Sequence, residues 1–246
     1  PDACLRVART ELGMGADHLK IFITGGMEKK DEVPDEPQMT KEEMSAVANA
    51  CRSKGTYVTA HAGGSQAIID AVDSGVFCFE HGYVLNREAA QAIRKVNGFF
   101  VPTLSVTQTI EWYRTNKFEE WLIEKSLAAG KRHLQSVETA IEEGVTIACG
   151  TDIPPGDMNG EINATVKELL LLSKTKLGSI GALRAGTMNA AAVCRADHRL
   201  GLVEKGYAAD LIAIADNPVA NIECLKDISF FMKEGEIIRN DLRDKS

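Results

Sequence analysis

No apolar run in this sequence approaches the roughly 20 consecutive residues that span a bilayer, so no transmembrane segment is read from it. Nor does it open on a basic stretch followed by an apolar one, the pattern of a secretory leader. Cys-x-x-Cys is missing. The six cysteines (Cys4, Cys51, Cys78, Cys149, Cys194 and Cys224) are scattered, which argues against a zinc knuckle and against a disulfide framework. They read as small buried hydrophobes in a reducing, cytoplasmic setting. Basic stripes are missing too: 28 Lys and Arg against 35 Asp and Glu give a net charge of -7, which argues against a nucleic-acid partner. No low-complexity tract or short-period repeat occurs.

What is present is an ordinary globular composition, 44% hydrophobic and 26% charged over 246 residues, enough to bury a sizeable core. Residues 2–15 read as a helix with Leu5, Ala8 and Leu12 on one face. A short strand over 19–23 follows, interrupted by Lys20 and closed by Gly25-Gly26. Residues 27–39, rich in charge and proline, read as an exposed loop of the kind that covers a site. Thr40 and Glu43 form a capping box for a helix to about Lys54. A strand over 57–60 runs into His61-Ala62-Gly63-Gly64, and one over 76–79 runs into Glu80-His81-Gly82, with a helix over 66–73 between them. Further on come a helix over 87–95, a strand over 99–101, a helical stretch over 107–143 with a break near Asn116, and a strand over 145–148. That last strand leads into Cys149-Gly150-Thr151-Asp152, and helices over 162–174 and 180–192 follow.

After Gly206 the hydrophobic period shortens from about 3.6 to about 2. Strands over 210–215, 230–233 and 236–239 are expected, the last two joined by a Glu234-Gly235 hairpin turn. Alternating strands and helices imply parallel βα units, and the final strands imply a separate β-layer. The fold class is therefore α/β, divided into residues 1–200 and 201–246.

Four ionisable residues occupy equivalent places. Lys20 interrupts an apolar strand, and His61, His81 and Asp152 each follow a strand and precede glycine or proline. In a closed barrel, strand ends converge on one mouth, where two imidazoles and a carboxylate suit a divalent metal. Each has a blander explanation. A lone buried His is usually a hydrogen-bonded core residue, and a lone Asp in a Gly/Pro loop is usually a cap or turn residue. Lys20 is harder to dismiss, because a buried ammonium needs a partner or a chemical modification. It is the joint occurrence of the four that favours a metal site.

Leu19-Lys20-Ile21 with Gly25-Gly26, Thr59-Ala60-His61-Ala62, Phe79-Glu80-His81-Gly82 and Gly150-Thr151-Asp152 resemble the fourth, fifth, sixth and eighth strands of the amidohydrolase superfamily. The similarity is greatest to its imidazolonepropionase-related branch, which includes Xaa-Pro and related dipeptidases. Asn189-Ala190-Ala191, the segment Leu200 to Gly206, Ala209-Asp210-Leu211 and Lys233-Glu234-Gly235 resemble the part of that fold that leaves the barrel and completes a small β-sandwich. The resemblance implies a (β/α)8 TIM-type barrel lacking its first strands, with a C-terminal β-sandwich segment. It implies a carboxylated Lys20 bridging two divalent ions, zinc in the first instance, with His61 and His81 as ligands of one ion. Asp152 would be ligand of the other and catalytic base. The implied activity is hydrolysis of an amide bond in a small-molecule substrate, a dipeptide or a cyclic amide, by a protein expected to be a homo-oligomer.

The sequence also departs from that pattern. The family's first strand carries a His-x-His pair, and none occurs here; His18, His133 and His198 do not replace it. Only five of eight barrel strands are counted, so an N-terminal segment is expected to be missing, from a fragment or from half of a split protein. Such a chain should not be fully active alone, which keeps open an alternative reading as a non-catalytic scaffold or small-ligand binder. A single-metal centre without a bridging lysine is a third reading. Weaker substrate-binding candidates are Tyr83, Thr103, Glu161 and Asn163, each with a packing or helix-start explanation. Arg114 is better explained as a solvated helix residue.

Overall fold

The structure, a computed structural model, describes residues 1–153 and 163–241. The chain forms two compact units, residues 1–147 and 148–246. The first contains α1 (Asp2–Gly13), β1 (Leu19–Phe22), α2 (Lys41–Ser53), β2 (Val58–Gly64), α3 (Ser65–Ser74), β3 (Cys78–Val84), α4 (Arg87–Lys95), β4 (Phe99–Val101), α5 (Ser105–Gln108), α6 (Ile110–Thr115), α7 (Glu120–Glu142) and β5 (Thr146–Ile147). The strands form a five-stranded sheet in the order β1-β2-β3-β4-β5, every neighbouring pair parallel. The helices between them pack on one another in turn, α1 on α2, α2 on α3, α3 on α4 and α4 on α7, and so make one continuous layer. Between sheet and helices lies a core that includes Ile23, Ile68, Phe79, Ile93, Phe100 and Leu104, all buried.

The capping box forms as expected: the Thr40 hydroxyl accepts from the Glu43 N–H, and the Glu43 carboxylate accepts from the Thr40 N–H at 2.9 Å. Elsewhere the structure corrects the sequence reading. β2 and β3 continue beyond Ala60 and Phe79 to Gly64 and Val84, so His61 and His81 lie within strands rather than at their ends. The two strands go on pairing to Gly64↔Val84 across a register shift, and this satisfies backbone groups that the glycine signals suggested would be released. The helical stretch over 107–143 is three helices, interrupted at Thr109 and between Asn116 and Glu119. The loop between β1 and α2 is mostly exposed, but Met27 is buried in it and Thr24 pairs with Pro37.

The second unit contains α8 (Ala164–Ser173), α9 (Gly178–Ala185), α10 (Met188–Val193) and an antiparallel sheet, β6 (Leu211–Ile214), β7 (Ile228–Lys233) and β8 (Glu236–Asn240), in that order. The helix expected over 180–192 is divided at Gly186-Thr187 into α9 and α10. Glu234-Gly235, with φ of 50° and 84°, makes the expected hairpin turn. Asp210 supports it by accepting from Lys233 Nζ and from the Glu234 N–H. The compact units divide at 147/148, ahead of the change in periodicity on which the boundary near residue 200 rests. Among the described residues, no helix is long and apolar enough to cross a membrane.

Candidate functional site

His61 on β2 and His81 on β3 are brought together, their ring centroids 4.5 Å apart and edge to face. Strand alternation alone would not do this. His61 pairs with Glu80 across the two strands, so a regular pleat would put Glu80 beside it and turn His81 to the opposite face. His81 instead has a left-handed backbone, φ 72°, followed by Gly82 at φ 61°. That twist re-aims the imidazole toward His61. Only glycine fits after it, because a Cβ on Gly82 would lie 2.5 Å from the Phe100 ring. Thr103 and Asp152, with φ of 53° and 55°, also have left-handed backbones, as residues held for function often do.

Each imidazole is held through one nitrogen. His61 Nε2 lies 3.0 Å from Gly25 O. A carbonyl only accepts, so Nε2 carries the hydrogen, and in the neutral form of the ring the lone pair is on Nδ1. His81 Nδ1 lies 2.8 Å from Thr103 Oγ1, which leaves Nε2 as its other nitrogen. Oxygen partners on the outer nitrogens are the usual means of orienting imidazoles that ligate metals. Burial, followed by the positive charge of His61, Lys20 and His133, holds His81 well below the usual histidine range. It is therefore neutral at neutral pH, the form that ligation requires.

Behind this pair the rings continue. Tyr83 stacks on His81 at 5.4 Å and meets His133 of α7 edge-on at 5.1 Å. His133 is fully buried, with Nδ1 2.9 Å from Thr107 Oγ1. Backbone hydrogen bonds to the carbonyls of His81 and Pro102 pull its pKa upward. Burial outweighs them and takes His133 down to about 4. Of the substrate-binding candidates, Thr103 is thus spent on His81, and Tyr83, only 2% exposed, packs between two imidazoles. Asn163 caps α8, accepting from the Thr165 N–H at 2.8 Å, and Glu161 lies outside the described residues. Arg114 pairs with Glu111 on the surface, as a solvated helix residue does. His18 stacks on Tyr57, and His198 is exposed.

Lys20 is corrected in one respect. Its side chain is 37% exposed, with Nζ 3.6 Å from Glu80 Oε2 and 5.6 Å from the Phe22 ring, so it is not a buried ammonium. The ring of Phe22 in turn stacks on His61 at 4.9 Å. Asp152 belongs to the second unit and is exposed, five residues beyond the end of β5. Nearby Cys149 has its thiol pushed up to about 12 by burial and then by Glu168, so it stays protonated and is not a nucleophile.

Two imidazoles with oriented nitrogens, His81 held neutral by burial, fit half of a divalent-metal ligand set. Among the described residues, no group of three or more His, Cys, Asp or Glu side chains gathers at ligand spacing.

Residues 7–239 match the profile of the Amidohydrolase family. The chain belongs to the amidohydrolase family. An ochratoxinase of Aspergillus niger is 28% identical over 242 residues, an alignment that covers 95% of this chain and 48% of the relative. A crystal structure of a Xaa-Pro dipeptidase with bound methionine matches with a TM-score of 0.88 at 29% identity, covering 98% of this chain and 59% of that one. A prolidase complexed with N-methylphosphonate-L-proline matches with a TM-score of 0.88 at 25% identity, covering 96% and 58%. This amidohydrolase chain thus spans about half the length of the curated relatives it matches.

Proposed function

We propose that the protein is a metal-dependent hydrolase that cleaves amide bonds, with dipeptides as its first substrate class and cyclic amides as its second. The observation that carries this reading is the His61–His81 pair, in which each ring is anchored through one nitrogen and turned toward the other ring. Relatives named as a dipeptidase, a prolidase and an ochratoxinase support it. On this reading the five parallel strands are strands four to eight of a (β/α)8 barrel, and the antiparallel sheet is part of a small β-sandwich.

His61, His81 and a carboxylated Lys20 would hold divalent metal, zinc by preference, and Asp152 would be a further ligand on the strength of its motif. A divalent ion in such a site lowers the pKa of a bound water and polarises a carbonyl. Asp152, assigned on the resemblance of Gly150-Thr151-Asp152 to its family motif, takes the proton of the attacking water and passes it to the leaving amine. Thr103 and Tyr83 hold His81, and Glu161 is left as the candidate for contact with substrate. A His-x-His from a segment outside this sequence would complete the ligand set.

A second reading is favoured by the Lys20–Glu80 pair: Glu80 supplies the counter-charge, so Lys20 needs no carboxylation and the centre takes a single ion. Elemental analysis of the metal-replete full-length protein separates the two, at two equivalents against one. Well below one equivalent points to the scaffold alternative. For the activity itself, the zinc- or manganese-loaded protein is assayed against dipeptide and cyclic-amide libraries. Asp152→Asn is expected to lower turnover by about 100-fold or more, as loss of a general base does. Absence of hydrolysis in both libraries, or an Asp152→Asn variant as active as the parent, sinks the proposal.

A further inference from the structure

A second polar assembly adjoins the imidazole pair. Lys125 lies on α7, where its neighbours Glu124 and Leu127 are exposed. Its ammonium is turned inward. Nζ donates to three backbone carbonyls, those of Gly26 at 2.8 Å, Lys29 at 2.6 Å and Glu32 at 2.7 Å. An ammonium has three hydrogens, so these acceptors use all of them. All three belong to the loop between β1 and α2, more than 90 residues away in sequence. Glu32 ties the same loop together: its carboxylate accepts from the Gly26 N–H at 2.9 Å and from Lys29 Nζ at 2.9 Å. Met27, between these contacts, is buried against Tyr83 and Val106.

Three carbonyl oxygens aimed at one point repel one another unless a cation occupies it. The conformation of Gly26–Glu32 therefore depends on Nζ. The residue before this segment is Gly25, whose carbonyl receives the His61 Nε2–H. The chain of contacts runs from Lys125 to Gly26 O and, through the adjoining peptide unit, from Gly25 O to the imidazole.

We propose that Lys125 is a positioning residue: its ammonium stands where a small cation would, and holds Gly26–Glu32 in the form that presents Gly25 O to His61. In doing so it sets which nitrogen of His61 faces the site. What that nitrogen is for rests on the hydrolase reading; the coupling of Lys125 to His61 does not.

The test uses the full-length protein with its histidines labelled with nitrogen-15. Trypsin reports on the loop through Lys29 and Lys30, which are both exposed. In Lys125→Met, cleavage after these two lysines is expected to quicken by about tenfold or more, since proteolysis tracks the population of the open form. The His61 nitrogen shifts are expected to move from a single Nε2–H tautomer toward a mixture. In Lys125→Ala, added methylammonium is expected to restore both the trypsin resistance and the tautomer. Parent-like cleavage and parent-like shifts in Lys125→Met overturn the proposal. So does faster cleavage with unchanged His61 shifts, the signature of a plain tether between helix and loop. Should Lys125→Met fail to fold, Glu32→Ala removes the acceptor of the Gly26 N–H from the opposite side, and must produce the same two changes or the proposal fails. A parent protein that hydrolyses nothing while Lys125→Met still shifts His61 refutes the hydrolase reading and upholds the coupling.

Discussion

Replacing His133 by glutamine should change how stability depends on pH, and by an amount that follows from its burial. Desolvation takes this imidazole from 6.5 to about 4 in the folded protein, whereas the unfolded chain protonates it near its ordinary value. Between those values the unfolded state binds more protons. The stability associated with a neutral His133 is therefore fully present above about pH 6.5, and is lost as pH falls toward about 4. At about 1.36 kcal/mol per pH unit, that interval amounts to about 3 kcal/mol. His81 is displaced in the same direction, and Glu32 and Glu43 are held below the usual carboxylate range by hydrogen bonds, chiefly from the Gly26 and Thr40 N–H groups. All three remain in His133→Gln, and only the smallest of the causes acting on His81 goes with His133, so the difference between the two proteins reports chiefly on His133. The variant also loses the ring contact with Tyr83, a deficit that does not depend on pH. Urea unfolding of both proteins in metal-free buffer, from about pH 7.5 to about pH 4, measures the difference. It should shift by about 3 kcal/mol in favour of the variant across that range. A difference that stays flat between about pH 7 and about pH 4.5 would refute the reasoning.

Two further outcomes are expected. Thr103→Ala removes the oxygen that holds His81 Nδ1 and should weaken zinc binding by about 10- to 100-fold in a chelator competition, with Thr103→Ser retaining the parent affinity; equal affinity for Thr103→Ala and parent would show that His81 needs no such partner. Gly63→Ala puts a Cβ 1.6 Å from Pro34 O, a backbone atom that cannot simply turn aside, and should cost about 3 kcal/mol or more in thermal unfolding. Gly13→Ala, where a Cβ meets nothing within 4 Å, is the control, and an equal loss in both would mean that the approach of the loop to β2 is dispensable.

The pattern of elements was legible in the sequence because it rests on local physics. The Thr40–Glu43 capping box, the helix over Arg87–Lys95 and the Glu234-Gly235 turn are each decided by residues a few positions apart. Lys20 was misjudged because the partner of its ammonium is Glu80, two strands away in the sheet and 60 residues along the chain. The lengths of β2 and β3 were misjudged for a similar reason, since their pairing with each other continues past the glycines that locally signal an end.

The site divides in the same way. The sequence by itself determined which residue types go with which strands, and so marked out His61, His81 and Asp152, the family to which the chain belongs and the absence of a His-x-His. Only the tertiary structure decided how the imidazoles face one another, because that depends on a left-handed backbone at His81 and on oxygens from Gly25 and Thr103. Likewise, Lys125 reads in the sequence as one more charge on a helix; three carbonyls more than 90 residues away make it part of the site's frame. Periodicity and motif spacing record contacts made within a few residues, whereas a hydrogen bond between distant segments leaves no trace in either partner until the fold brings them together.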